Sequence, residues 1–329
     1  MPDLSVIIPV KQGDLTIGNC LHAVLSNDGL EIEVIVVLDG WDVVAFKEKF
    51  LKINPSVKVY ALPKSGPAAC RNHGAKLSSA AFLCFLDSDV LVQENTFLFA
   101  LTKVKASGEA GLIGSYDAYP SSSHVISKFR NLFHHYHHQR NHLKSGVFWG
   151  AFGIVRKSAF EEVGGFDQSF STPSVEDIEL GIRLAQKNHV VRIHSDLQVK
   201  HLKNWTFFNW MKTDIFLRAK PWTKLMHAHR EQADNHLNTS TVEKISALLT
   251  TILVVMCFGL FYCSYCMLII PIIVLLFLLL QKKFYVFAAQ NFKVLPLIFL
   301  FHQLYFLFAL TGFILGRLEI SYQTLTKTA

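Results

Sequence analysis

Residues Ala81–Asp89 read AFLCFLDSD: six apolar residues run straight into two carboxylates placed at i and i+2. So short a β-rich run, closed by polar residues, reads as a strand buried on both faces. Three earlier runs have the same shape: Leu4–Pro9 (LSVIIP), Ile32–Leu38 (IEVIVVL) and Val57–Leu62. Segments near 14–27, 42–53 and 66–79 separate them and carry helical spacing. Strands alternating with helices imply a mostly parallel, Rossmann-like α/β sheet covered on both faces. Ligands in such sheets bind beyond the carboxyl ends of the strands.

The residues just after each run therefore carry the argument. They are Pro9-Val10-Lys11, then Asp39-Gly40-Trp41-Asp42, then Lys64-Ser65-Gly66-Pro67 leading into Arg71-Asn72, then Asp87-Ser88-Asp89. Any one of them alone reads as a turn or helix cap; four on one sheet edge read as a site. Asp87 and Asp89 can face one hard cation together, since Mg²⁺ and Mn²⁺ take oxygen ligands and often share them with substrate phosphates. A divalent ion there would neutralise a diphosphate leaving group.

In order, SVIIPV, VVLDG, SGPAACRNHGA, FLDSDV, GGFD and VEDIEL resemble the family-2 glycosyltransferases of the GT-A fold, over nearly all of residues 4–200. The resemblance implies transfer of a sugar from a nucleotide-sugar donor, usually with inversion at the anomeric carbon. It implies that Pro9 and Asp39 border the base pocket, that Gly66, Arg71 and Ser88 lie near the nucleotide, and that Asp87 and Asp89 bind ribose and metal-diphosphate. The chain departs from the family twice: Val10-Lys11-Gln12 stands where Tyr-Asn is common, and Leu38 where a second Asp is common.

Inversion needs a carboxylate to take the acceptor proton. In the family the Asp of an ED pair does this, which points to Asp177. Acids are also favoured in the first turn of a helix, the alternative role of Glu176 and Glu179. Trp149, Gly150 and Glu176 are expected on the acceptor side. His201 is expected as a third metal ligand, with a surface histidine as the other reading. Arg218 and Trp222 match the Q-x-x-R-W element of processive synthases only loosely, since Gln is absent and Pro221 takes the Arg position. They read as a diphosphate contact and an acceptor contact in an interfacial segment of a non-processive enzyme.

Composition supplies the setting. The 329 residues are 51% hydrophobic and 17% charged. Ser246–Leu280 and Val294–Gly316 contain no Asp, Glu, Lys or Arg. About 20 helical residues span a bilayer core, so a purely soluble enzyme is excluded. The lack of such runs before residue 246 excludes a polytopic transporter. The expected organisation is a GT-A domain at 1–225, a basic juxtamembrane segment at 226–245, an anchor at 246–317 and a tail at 318–329. Three membrane helices are expected at 246–262, 266–281 and 294–316, with one long Pro271-kinked helix in place of the first two as the alternative. Asp3 and the short apolar run Leu4–Val10 do not form a signal peptide, which predicts a multi-pass protein of the inner cell membrane with its catalytic domain in the cytoplasm. The six cysteines read as reduced.

The net charge of +7 is uneven: Ala118–Phe160 has six Lys or Arg and six His but no acid. A phosphorylated substrate or an anionic membrane face explains this, and nucleic acid is a poor fit. Within that stretch Ser127–His142 reads as an amphipathic helix at a membrane interface, with Phe129, Leu132, Phe133 and Tyr136 on one face and bases on the other. A zinc site at His134 and His138 is the weaker reading. The predicted function is metal-dependent (Mn²⁺ or Mg²⁺) glycosyl transfer from a nucleotide-sugar to a lipid-linked or surface-glycan acceptor. A non-catalytic GT-A membrane scaffold or nucleotide-sugar sensor is the alternative.

Overall fold

The computed structural model describes residues 1–50, 56–229, 240–262, 264–292 and 294–328, and the chain divides into two compact units, Met1–Asn204 and Trp205–Ala329. The first unit runs β1 (Leu4–Lys11), α1 (Ile17–Leu25), β2 (Ile32–Asp39), α2 (Val43–Phe50), β3 (Lys58–Leu62), α3 (Pro67–Leu77), β4 (Phe82–Leu86), β5 (Val90–Leu91), α4 (Thr96–Ser107), β6 (Gly111–Tyr116), α5 (Val125–Arg140), β7 (Phe152–Arg156), α6 (Lys157–Glu162), α7 (Glu176–Gln186) and β8 (Val191–His201). Residues 51–53 of the expected second helix lie outside the described residues.

The eight strands described form one sheet in the order β3-β2-β1-β4-β7-β6-β8-β5. β1 pairs in parallel with β2 and β4, β2 with β3, and β6 with β8. β7 runs antiparallel to both β4 and β6. All of β4 and nearly all of β1 and β2 are buried, which is why they read as continuous apolar runs rather than alternating ones. Two reversals, at β7 and again at β6, leave β6 pointing the same way as β4. The ends of β1, β2, β3, β4, β6 and β8 and the beginning of β7 therefore share one edge.

Local sequence sets where the helices begin. α3 starts at Pro67, whose missing N–H costs nothing at a first helical position. Gly66 before it has φ +85°, and a Cβ there would meet Ser171 O at 2.3 Å, so no larger residue fits.

α5 corrects an expectation. The predicted amphipathic helix exists, but its polar side is not open: Arg130, Asn131, His135, His137 and His138 are all buried. Asn131 Nδ2 donates to Asp117 O at 2.6 Å, and His135 Nδ1 lies 2.7 Å from Tyr116 O. The segment is an integral element of the fold, not a surface helix with a solvated basic face.

The second unit contains α8 (Phe207–Lys212), a π-helical stretch at Thr213–Ala219, α9 (Lys220–Ala228), α10 (Thr241–Gly259), α11 (Cys266–Leu280), α12 (Lys282–Asn291) and α13 (Leu295–Thr328). The domain boundary drawn from sequence at 225 lies too late, because residues 205–225 pack with the C-terminal helices. Gly312 and Gly316 of α13 explain the packing: a Cβ on Gly312 would meet Ala219 Cβ at 2.5 Å, and one on Gly316 would meet Thr223 Cβ at 2.8 Å. Lys220 and Lys224 then reach Glu319 at 2.7 and 2.6 Å. The expected tail at 318–329 is helical through Thr328 as part of α13.

Thr241–Gly259 and Leu295–Thr326 are long and apolar enough to cross a membrane. Cys266–Leu280 and Lys282–Asn291 pass the same test as a pair, bent by 79°. The bend falls at Gln281 and not at Pro271, which lies inside α11. Gln281 is held by Ser246 Oγ and Glu243 Oε2 at 3.0 and 3.2 Å, and Thr250 donates to Gln303 at 2.7 Å, so side chains bridge these apolar helices. Ser240 caps α10 by accepting from Glu243 N–H, the S-x-x-E pattern. Residues 230–239 of the expected juxtamembrane segment, Cys263 in the expected turn and Lys293 before the last span lie outside the described residues.

Candidate active site

The shared sheet edge gathers the predicted residues of the first unit. Asp87, Ser88 and Asp89 follow β4 directly. Asp87 N–H donates to Ala151 O at 3.3 Å, which ties this loop to the Trp149-Gly150-Ala151 stretch leading into β7. α7 opens at the same place with Glu176 and Asp177.

Arg71, in the first turns of α3, stands at the centre. Its Nη2 donates to Asp87 Oδ1 at 2.8 Å and its Nη1 to Glu176 Oε1 at 2.9 Å. The guanidinium lies over the Phe166 ring at 5.2 Å. Burial works against its charge, but Asp87, Glu176 and Asp177 outweigh this and raise its pKa further. Glu176 is pinned a second time, by Ser174 N–H at 2.7 Å.

Asp177 accepts from Gly150 N–H at 3.1 Å and from Ile178 N–H at 2.8 Å. Its carboxyl is pushed up to about 6, chiefly by burial and next by the neighbouring Glu176 charge, against the pull of Gly150 N–H and Arg71. A carboxylate with that proton affinity is matched to accepting a proton near neutral pH. Asp87 is also raised, by burial first, with Arg71 opposing and Asp89 and Glu176 adding to the shift.

Asp89 behaves differently. Burial would raise it, but His201 Nε2, 3.6 Å from Asp89 Oδ2, and Lys203 hold it below the usual carboxylate range. His201 is placed by the β5–β8 pairing, where it lies opposite Val90, and its ring stacks on Tyr116 at 4.3 Å. Asp89 and His201 thus supply one hard oxygen and one imidazole nitrogen side by side, a donor set that suits Mn²⁺ and, through oxygen, Mg²⁺. Arg71 engages one oxygen of Asp87, Oδ1, and the Asp87 side chain keeps 35% of its surface open. Among the described residues no three His, Cys, Asp or Glu side chains form a preformed metal cage.

Toward the other end of the edge, Asp39 Oδ1 accepts from Ser65 N–H at 2.6 Å and Gly66 N–H at 3.1 Å. Pro9 sits in β1 opposite Val37. Ser88 donates to Asp14 Oδ2 at 2.6 Å, and Thr16 donates to Ser88 O at 3.0 Å. Trp149 packs edge-on against Tyr116 at 4.6 Å and His138 at 4.7 Å. Arg218 lies in the π-helical stretch and Trp222 in α9, so both belong to the second unit. Sequence reasoning passed over Asp14, Thr16 and Tyr116. Their signal was the rule already in use, since Asp14 and Thr16 follow β1 and Tyr116 closes β6.

Comparison with known proteins identifies the domain. Residues 5–164 match the family described as Glycosyl transferase family 2. A relative described as an uncharacterized glycosyltransferase of Rickettsia bellii is 27% identical over 222 residues, 63% of this chain and 30% of that protein. The pre-mycofactocin glycosyltransferase of Mycobacterium tuberculosis is 26% identical over 228 residues, 65% of this chain and 46% of that protein. The chain thus spans less than half the length of these relatives. Among solved structures, the mannosyltransferase PcManGT of Pyrobaculum calidifontis in complex with GDP-Man and Mn²⁺ aligns over 95% of this chain and 87% of its own, with TM-score 0.64 and 13% identity. TarS of S. aureus in complex with UDP-GlcNAc aligns over 69% of this chain and 65% of its own, with TM-score 0.51 and 16% identity. The sheet is therefore the GT-A arrangement, and residues 5–164 form a glycosyltransferase family 2 domain.

Proposed function

We propose that the protein is a membrane-anchored, inverting glycosyltransferase that moves one sugar from a nucleotide-sugar donor to a lipid-linked or surface-glycan acceptor. The observation that carries this reading is the convergence of Asp87, Asp89 and Asp177 at one sheet edge, with Asp177 raised to about 6. The acceptor hydroxyl oxygen attacks the anomeric carbon while the bond from that carbon to the diphosphate oxygen breaks. Asp177 takes the hydroxyl proton, and the nucleoside diphosphate leaves with the bonding pair. Asp89, His201 and Asp87 would hold a divalent ion, which when bound supplies positive charge to the leaving diphosphate. Asp39, with Pro9 and the Ser65-Gly66 backbone, borders the donor base. Trp149 offers an aromatic face on the acceptor side. Two relatives described as glycosyltransferases, and neighbours solved with GDP-Man and Mn²⁺ or with UDP-GlcNAc, support the donor class.

The apolar helices of the second unit support a membrane location, multi-pass and with the catalytic domain on the cytoplasmic side, where the acceptor is a lipid-linked glycan. The test is nucleotide release by the purified full-length chain from UDP-, GDP- and dTDP-sugars, with Mn²⁺ and bacterial lipid extract. Release from one donor, dependent on both lipid and metal, is expected. No release from any donor overturns the enzymatic reading and favours a scaffold or sensor.

A further inference from the structure

We infer that Arg71 is a positioning residue, a brace that fixes the Asp177 helix against the Asp87 loop, and that Gly150 is kept free of a side chain to admit it. This inference rests on the proposed function for its consequences in turnover, but not for its geometry. The resemblance to the family places Arg71 beside the nucleotide. In the structure its head is enclosed: Arg71 is only 4% exposed, and both terminal nitrogens are committed to carboxylates on two different elements. A ligand arriving from solvent would have to displace Asp87 or Glu176 to reach it. Asp87, by contrast, keeps 35% of its side chain open.

Three segments far apart in sequence meet at this guanidinium: the loop after β4 through Asp87, the start of α7 through Glu176, and the stretch before β7 through Gly150. Gly150 does two things there. Its N–H donates to Asp177 Oδ2 at 3.1 Å. Its missing side chain leaves the space Arg71 fills, since a Cβ would fall 2.9 Å from Nη2 and 3.0 Å from Cζ. A free arginine end would swing away from such a contact. This one is held by two ion pairs and the Phe166 face, so the added methyl group must push the brace and the Asp177 contact apart. A planar fork meeting two carboxylates is also something lysine does not reproduce. The consequence is that Arg71 and Gly150 set the distance between the donor side and the proton acceptor, and a shift of about 1 Å there costs about 10²-fold in rate.

The experiment compares Arg71→Lys, Gly150→Ala and the double variant in the full-length chain. Three quantities are read: turnover, affinity for UDP and GDP with Mn²⁺, and Tm without ligand. We expect each single variant to lower kcat by about 10²-fold while nucleotide affinity stays within about threefold. The double variant should be little worse than either single one in both kcat and Tm, because both break the same contact. Arg71→Lys losing at least tenfold in nucleotide affinity while Gly150→Ala keeps it would make Arg71 a nucleotide ligand and overturn the brace. Additive Tm losses would also overturn it. If the unmodified chain releases no nucleotide from any donor, the proposed function fails, and the ligand-free Tm cycle still decides the brace. Glu176→Gln, which keeps the side-chain shape, replaces Gly150→Ala in the same cycle should that variant not fold.

Discussion

Glu33 and Asp177, at opposite ends of the parallel strands, are shifted in opposite directions. At the starting edge, Glu33 of β2 lies opposite Ser5 of β1 and accepts from Ser5 Oγ, Lys58 Nζ at 2.6 Å, Ser79 N–H at 2.9 Å and Ser79 Oγ at 3.0 Å. Burial pushes this carboxyl up, but those donors, Lys58 foremost, bring it down to about 2. At the finishing edge, Asp87, Glu176 and Asp177 share one arginine, and Asp177 stands at about 6. The contrast lies in the count of partners. One acid with more donors than it needs is a staple for β1, β2, β3 and the approach to β4. Asp87 and Asp177, crowded around one cation, are left with raised proton affinity, and that is what proton transfer requires.

The largest expected effect separates the two edges directly. Asp177→Asn keeps size and the contact from Gly150 N–H but removes the proton acceptor, so turnover should fall by about 10²–10⁴-fold. Donor affinity, measured by calorimetry on the same sample, should hardly move. The fold should gain from the change, because an acid whose folded pKa is raised destabilises the native state once it ionises. Higher Tm with lost turnover is the expected pair of results; near-normal turnover would move the base elsewhere.

Metal dependence comes next. Asp89→Asn should weaken Mn²⁺-dependent nucleotide binding by about 10–100-fold or more, the loss typical even of a residue behind a metal ligand. Titration of nucleotide with and without EDTA checks it, and affinity indifferent to EDTA removes the ion from the reading.

Glu33→Gln should do the reverse of Asp177→Asn. It removes the charge that Lys58 and the Ser79 N–H meet, and should cost about 1–3 kcal/mol of stability. Turnover measured well below Tm should stay unchanged. A loss of activity at full stability would mean that the two edges are coupled, contrary to the comparison.

The smallest effects are in pH. Glu33 has a depressed folded pKa, so its stabilisation is present above about 4.5 and is lost as pH falls toward 2. Asp177 has a raised one, so its protonated form favours the fold at low pH, and that contribution is lost as pH rises through about 6. Turnover should therefore climb through pH 6 while the Glu33 contribution to stability is already complete. A turnover profile flat from pH 5 to 7 would take Asp177 out of the proton transfer.

Much of the first unit was legible before the structure. The runs at Leu4, Ile32, Val57 and Ala81 became β1, β2, β3 and β4; β1, β2 and β4 are apolar because both their faces are buried, whereas β3, at the sheet edge, is only partly buried. What followed each run was legible as well, because parallel strands finish at one edge. β7 was not legible: nothing local to Phe152–Arg156 states that it runs antiparallel between β4 and β6. α5 misled for a related reason. Its histidines and Arg130 look like a wet face by residue type, yet they are buried: His135 finds Tyr116 O, and burial pushes His137 and His138 down to about 3 and about 4, so those rings are carried uncharged. The boundary near 205 was hidden too, since Gly312 and Gly316 act on residues almost a hundred positions earlier.

By itself, then, the sequence determined the alternation of strands and helices, the acids at the strand ends and the apolar helices after residue 240. These follow from periodicity and residue chemistry over a few neighbouring positions. The tertiary structure decided which acid meets which cation. Arg71 reaches Asp87 and Glu176 over separations of 16 and 105 residues, and whether it contacts a ligand or braces a helix depends on burial and on the space left by Gly150. A carboxylate's proton affinity depends on its distance from other charges and on the water around it, and both are set only when the chain has folded.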